Sequence, residues 1–225
     1  MKTNRISRCV FVVAMVTLCL CGCRQEPAPE VVAPRPQFAG PDYWPLTAGA
    51  TYTYDCTFND LNEQQTMVVQ RQIIDGAEIF YVVDQTKLSE PDPIIGTDLP
   101  GLGAYGWSTA GVVTGESFWK HELATVKPAA MQTMLQLPLQ AGDVTEVVDG
   151  ERTSTFTVAG FESVTVPAGT FDTCARIDVV RVWQNGNQYT GSFWLAPAVG
   201  LVKWQMGTGR VEALAAYTIP EAAGK

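Results

Sequence analysis

The sequence predicts an all-β fold: a single antiparallel meander whose strands curl into a sandwich or an open barrel. Three observations predict it. Apolar and polar residues alternate with a period of two, as in Thr51–Phe58, where Tyr52, Tyr54, Cys56 and Phe58 share one face and Thr51, Thr53, Asp55 and Thr57 the other. Two-residue hairpin signals recur at Asp75-Gly76, Asp149-Gly150 and Asn185-Gly186. No long amphipathic helix is visible to serve as a parallel crossover.

The chain opens with Lys2, Arg5 and Arg8, followed by an apolar run from Cys9 to Leu20 broken only by Thr17. A charged start and a short apolar stretch mark a secretory signal segment. At about 12 residues the run is too short for the roughly 20 that a helix needs to cross a bilayer. Its end, Leu20-Cys21-Gly22-Cys23, resembles the lipobox of bacterial lipoproteins, in which a small residue precedes the cysteine that is acylated and becomes residue one. Cys23 fits that role. Cys9, Cys19 and Cys21 are small apolar filler in the removed segment. A zinc site would need a second ligand pair at regular spacing, and the sequence has none. Two or more acyl chains give a stable hold on a membrane surface.

From Arg24 to Pro41 prolines stand at 27, 29, 34, 36 and 41. Such a segment favours extended polyproline II and acts as a semi-rigid spacer. The organisation is therefore a lipoprotein signal peptide at 1–22, the lipidated cysteine and Pro-rich tether at 23–41, an antiparallel β domain at 42–220 and a tail at 221–225. Arg24 is not the Asp that often signals inner-membrane retention in Gram-negative lipoproteins. By that resemblance the expected location is the outer membrane, facing the periplasm. Losing Lys2, Arg5 and Arg8 takes the formal charge from −8 to −11. A surface this acidic repels phosphate backbones, so nucleic acid is not an expected partner.

After Thr51–Phe58, strands are predicted at Thr66–Ile74, Glu78–Asp84, Ala104–Trp107 and Val112–Trp119, with a Pro/Gly-rich loop from Leu88 to Gly103. Lys127–Leu137 reads as a short helix with Met131, Met134 and Leu135 on one side. Further strands follow at Thr145–Val148, Thr153–Val158, Phe161–Val166, Phe171–Trp183, Gln188–Leu195, Leu201–Met206 and Val211–Ile219. Pro45-Leu46-Thr47-Ala48-Gly49 and Pro138-Leu139-Gln140-Ala141-Gly142 echo each other, each placing an apolar anchor and a glycine turn before a strand. The likeness fits two related halves of one sheet system; it also fits chance in a Pro/Gly-rich chain. Pro167-Ala168-Gly169-Thr170 reads as a tight connection between two long strands, with proline presetting φ and glycine taking the conformation that other residues avoid.

Three stretches, YWPLTAGATYTY, VTVPAGTFDTCARI and FWLAPAVGLVKW, resemble landmarks of a set of bacterial envelope proteins, the DUF3108-like or TapB-like family. The resemblance covers most of Tyr43–Ile219, and VPAGTF is its most specific element. It implies a curved antiparallel sheet, related to the half-open barrels of lipoprotein carriers, and no established reaction. Ala198 stands where the family has glycine. That departure bears on the turn, because glycine tolerates positive φ and alanine does not.

Cys56 and Cys174 are the thiols left after lipidation. An oxidising compartment favours their disulfide. Strand parity opposes it, since Cys174 falls in register with Asp172, Arg176 and Asp178 unless a bulge near Thr173 turns it inward. His121, the sole histidine, lies outside any zinc-protease or Gly-x-Ser-x-Gly pattern and reads as an exposed strand-end residue. No catalytic residue, metal or cofactor is expected. Trp107, Trp119, Trp183 and Trp194, with Met131 and Met134, are candidate contacts for an apolar ligand in a concave aromatic-lined sheet, although each serves equally as core. Two functions stand closest: an anchored envelope protein that binds or carries a lipid, acyl chain or hydrophobic peptide, and a structural module docking to another envelope protein. A hydrolase built on clustered carboxylates ranks third.

Overall fold

The computed structural model describes residues 35–84, 103–108, 110–115, 131–149 and 152–221, which form twelve strands and, among the described residues, no helix. They are β1 (Thr51–Phe58), β2 (Leu61–Ile74), β3 (Ala77–Asp84), β4 (Gly103–Ser108), β5 (Gly111–Gly115), β6 (Gln132–Gln136), β7 (Val144–Asp149), β8 (Arg152–Val166), β9 (Gly169–Trp183), β10 (Gln188–Ala196), β11 (Gly200–Met206) and β12 (Val211–Thr218). All belong to one antiparallel sheet in the order β6-β5-β4-β3-β2-β1-β12-β11-β10-β9-β8-β7. Every neighbouring pair but one is consecutive in sequence. The exception is β1 with β12, registered from Thr51 opposite Thr218 to Thr57 opposite Val211 with a bulge after Thr53. Two six-stranded meanders are thus joined through the first and last strands, and a single curled sheet, nearly closed as a barrel, replaces the sandwich alternative.

The predicted strands are present among the described residues, with 116–119 of the Val112–Trp119 strand lying outside them, and two readings change. Residues 132–136 of the expected helix form edge strand β6 instead, paired with β5. A register shift between Val112 and Val113 lets the consecutive Met134 and Leu135 both be buried, and that doubled burial imitates a helical stripe. The two strands read at Thr153–Val158 and Phe161–Val166 are one, β8. Register shifts between Val158 and Gly160 and between Glu162 and Val164 absorb the changes in alternation that look like a break. The Pro167-Ala168 connection is a two-residue hairpin, with Val166 opposite Gly169, and Gly169 takes φ +135°.

The Pro-Leu-x-Ala-Gly echo is matched in three dimensions. Gly49 N donates to Val69 O at 2.8 Å, Val69 N to Ala50 O at 2.9 Å and Ala50 N to Thr47 O at 3.0 Å. In the second half, Gly142 N donates to Val158 O at 2.8 Å, Val158 N to Asp143 O at 2.9 Å and Asp143 N to Gln140 O at 3.1 Å. Both glycines adopt left-handed φ, +81° and +94°. Leu46 and Leu139 are both buried. The motif does one job twice: it locks a turn onto the long second strand of each meander.

Inward side chains from strands all around the sheet meet in one core containing Tyr54, Tyr105, Phe156, Ile177, Phe193, Leu195, Trp204 and Leu214. Phe193 is central, with ring centroids 6.0 Å from Trp204, 6.3 Å from Trp44 and 6.4 Å from Phe156. Aromatic pairs at such spacings add roughly 0.5–1.5 kcal/mol each beyond their buried area. A second cluster, Ile79, Tyr81 and Val83, occupies the opposite face of β3, with Val68, Ile74, Ala77 and Met131 packed against it.

Two backbone positions generate predictions. A Cβ on Gly191 would lie 2.9 Å from Gln205 O and 3.0 Å from the Trp204 ring. Gly191→Ala is therefore expected to cost roughly 1–3 kcal/mol as an overpacking change, read as a lower urea midpoint. Ala198 takes φ +60°, the conformation that the glycine of the resembling motif would supply. Relief of a left-handed alanine, roughly 1–2 kcal/mol, exceeds glycine's entropic penalty of about 0.5–1 kcal/mol, so Ala198→Gly should raise that midpoint.

Candidate functional site

The expected ligand cavity would lie inside the curled sheet, where the described residues pack buried side chains together. The segment before β1 contributes the plug. Tyr43, Trp44 and Leu46 are all buried, with Trp44 5.1 Å from the Tyr105 ring. Asp42 holds this segment in place: its Oδ1 accepts from Trp44 N at 3.1 Å, its Oδ2 from Arg35 at 2.9 Å and its carbonyl from Ala198 N at 2.7 Å. Tyr43 donates from its hydroxyl to Thr173 O at 2.9 Å. Beneath Trp44, a crevice bounded by Leu46, Tyr52, Tyr54, Met67, Val82 and Leu201 holds about 30 Å³. That is room for a water or two, not an acyl chain.

Of the described residues singled out for apolar contact, Met134 and Trp194 belong to the main core and Trp107 packs against it, whereas Met131 and Trp183 lie elsewhere. Trp107 packs beside the core, with the Arg35 guanidinium 3.6 Å above its ring and Phe38 6.1 Å away. Met134 is core, whereas Met131 sits against the second cluster on the far face of β3. Trp183 ends β9 at a hairpin, its N–H donating to Asn187 O at 2.9 Å. Trp194 is buried among charges: its cross-strand partners are Arg176 and Lys203, the Lys203 ammonium lies 4.7 Å over its ring and its Nε1 donates to Glu162 at 2.5 Å. Trp119, His121 and Cys23 lie outside the described residues. Trp44, which entered the sequence analysis only within the YWPLTAGATYTY landmark, is buried against Tyr105 and Phe193.

The two thiols are separate and free, so the disulfide is not formed in this structure. The bulge that parity required is present: Thr173 has φ +55° and Cys174 turns inward. Strands β12, β11 and β10 still separate β1 from β9 in the sheet. Each sulfur has local partners, Cys56 with Gln65 Oε1 at 3.6 Å and Cys174 with Phe171 O at 3.3 Å. Burial pushes Cys56 up to about 12, with Glu212 adding to the rise, and burial pushes Cys174 up to about 11. Opposite Cys56, the carboxylate of Glu212 is enclosed and accepts from Arg210 Nε at 2.8 Å, while Arg210 Nη2 reaches Glu63 at 3.1 Å. The Arg210 guanidinium compensates the charge of this buried carboxylate, so that losing Arg210 would remove that compensation.

The outside of β7–β9 is built differently from the rest. In an antiparallel sheet with one buried face, outward positions are usually polar. Here Val144, Val148, Val180 and Val182 are 58, 51, 36 and 41 % exposed. Register aligns them in rows: Val148, Thr153 and Val182; Glu146, Thr155 and Val180; Val144, Thr157 and Asp178. The rows continue into an open groove of about 520 Å³ lined by Asp178, Val180, Thr190, Ser192 and Gln205. Asp178 is fixed there by Arg176 at 3.0 Å and by the Ser192 hydroxyl at 2.7 Å. The Arg176 hydrogen bonds hold its carboxyl below the usual range.

At the edge of this face, β7 meets β6. Among the described residues no backbone hydrogen bond joins them. Side chains close the seam: Gln132 Nε2 donates to Val148 O, Val148 N donates to Gln132 Oε1 at 3.1 Å, and the Thr145 hydroxyl donates to Met134 O. The Gln132 amide stands in for the peptide group of a neighbouring strand. Neither Gln132 nor the valines announced this role in the sequence. The available signal was VTEVVD, which carries valine on both faces of one strand.

No protein-family model and no curated protein matches the chain. Two solved structures are similar in chain course. One is a candidate lipoprotein from Parabacteroides distasonis, 13% identical, with a TM-score of 0.42, covering 82% of this chain and 100% of its own. The other is a candidate exported protein with a YmcC-like fold from Bacteroides fragilis, 15% identical, with a TM-score of 0.43, covering 80% and 100%. At these values the likeness carries nothing about ligand, partner or location.

The site makes two predictions. Trp44→Ala should cost roughly 3–5 kcal/mol, as for other buried aromatics, in a urea titration. Thiols raised by burial stabilise the fold fully below the unfolded-state value near 9; that contribution drains away as pH rises through about 11 to 12. The urea midpoint should therefore fall between pH 8 and pH 11, and less so when Cys56 and Cys174 are both alanine.

Proposed function

We propose that the chain is an exported protein of the bacterial cell envelope, tethered through acylated Cys23, whose β domain is a non-catalytic docking module for another envelope protein. One observation carries the choice of docking over carriage: the apolar crevice inside the sheet holds about 30 Å³, while Val144, Val148, Val180 and Val182 present apolar surface outward. Exposed apolar patches rimmed by polar groups mark interaction sites more often than solvated faces do. The Pro-rich tether would hold this face clear of the bilayer. Arg24 and the lipobox resemblance support the outer membrane, periplasmic side, as the location. The acidic surface supports a protein rather than a nucleic-acid partner. No cofactor enters this reading.

Intact mass from the native host should show a chain that begins at Cys23 and carries acyl groups, and Cys23→Ala should leave the membrane fraction. A photo-crosslinker at Val182 should capture one defined envelope protein, and Val182→Lys should lose that product while changing stability by no more than about 0.5 kcal/mol. Organic-solvent extraction of the purified protein should release no stoichiometric lipid. A lipid recovered at one per chain would sink docking in favour of carriage, with Trp44 as the group that must move.

A further inference from the structure

We propose that the β6–β7 seam is a strand-accepting site: an extended segment of the partner, with a basic residue flanked at two-residue spacing by apolar ones, adds to the edge of β7. This rests on the docking reading and names its partner chemistry.

The two meanders should be joined twice, and they are joined in unlike ways. At β1–β12 the junction is a backbone ladder registered over Thr51–Thr57. At β6–β7 the corresponding junction is made by the Gln132 and Thr145 side chains. In an antiparallel strand, alternate residues direct both backbone groups to the same neighbour. Val148 directs its N–H and C=O to Gln132, so Glu146 and Val144, two and four positions away, direct theirs into the seam as well. Natural edge strands are commonly guarded by lysine or proline. Neither β6 nor β7 contains lysine, arginine or proline.

The chemistry of the occupant follows from the rows. An added strand registered on β7 faces Val148, Glu146 and Val144 with its outward residues. Apolar, basic and apolar side chains at alternate positions match them, and they extend the apolar face already formed with Val180 and Val182. Main-chain bonds supply the hold and the alternate side chains supply the choice of partner.

The test uses the full chain purified in detergent and a short fluorescent peptide with valine, lysine and valine at alternate positions and threonine between them. Controls replace the lysine with glutamate, or one threonine with proline. The lysine peptide should bind about tenfold more tightly than either control and should slow amide exchange at Val144 and Glu146. Glu146→Lys, at an exposed position, should reverse the preference toward the glutamate peptide, and Gln132→Ala should strengthen binding by freeing the Val148 groups. Equal binding of the proline peptide would overturn the inference. So would indifference to Glu146→Lys, or protection of β7 by a second copy of the chain alone. Failure of all the peptides while crosslinking through Val182 persists would remove the seam and leave docking; one lipid per chain in the solvent extract would remove docking itself.

Discussion

The ladder between β1 and β12 is the constraint on which the rest of the structure depends. Without it there are two six-stranded meanders, each an open sheet with one apolar face. With it they become one surface that curls until the inward aromatics meet. The pairing joins residues separated by most of the chain length, from Thr51 to Thr218. Pairings of this kind are entropically expensive to close and form late in β proteins. The Pro-Leu-x-Ala-Gly turns ease the problem locally. Each fixes the start of a meander against its own long second strand before the distant partner arrives.

Closure also decides what the molecule can hold. A sheet of this breadth could enclose a ligand, and here the chain supplies its own occupant. Trp44 and Leu46 enter from the segment ahead of β1, and Phe193 and Trp204 fill the middle. Beneath Trp44, among the described residues, lies a crevice of water size. Apolar surface remains on the outside along β7–β9, beside the β6–β7 junction, where no backbone bond forms among the described residues.

Much of the fold was legible because the physics is local. Period-two alternation and Asp-Gly or Asn-Gly turns mark strands wherever one face is buried, and β1 and the β2–β3 hairpin stand almost as read. The failures share a cause. Bulges break the alternation, so β8 looked like two strands and Met134-Leu135 looked like a helical stripe. The site was less legible. A tryptophan's parity says whether it faces in or out, not whether the space it faces is already taken, and Trp44 settles that from a segment with no periodicity. The seam was invisible because it depends on which strands end up as edges. That is a property of the closed sheet, and Gln132 reads as an ordinary polar residue until β7 lies beside it.

Asp42 bonds to Arg35, Trp44 and Ala198, and Arg35 also stacks on Trp107, so the chain ahead of the buried indole is fixed at several points. Any pull on the chain ahead of Arg35 therefore meets the Arg35 contacts with Trp107 and Asp42 first, with Trp44 next in line. A load applied there would fall on a side chain wedged in the aromatic interior before it reached the strands of the sheet.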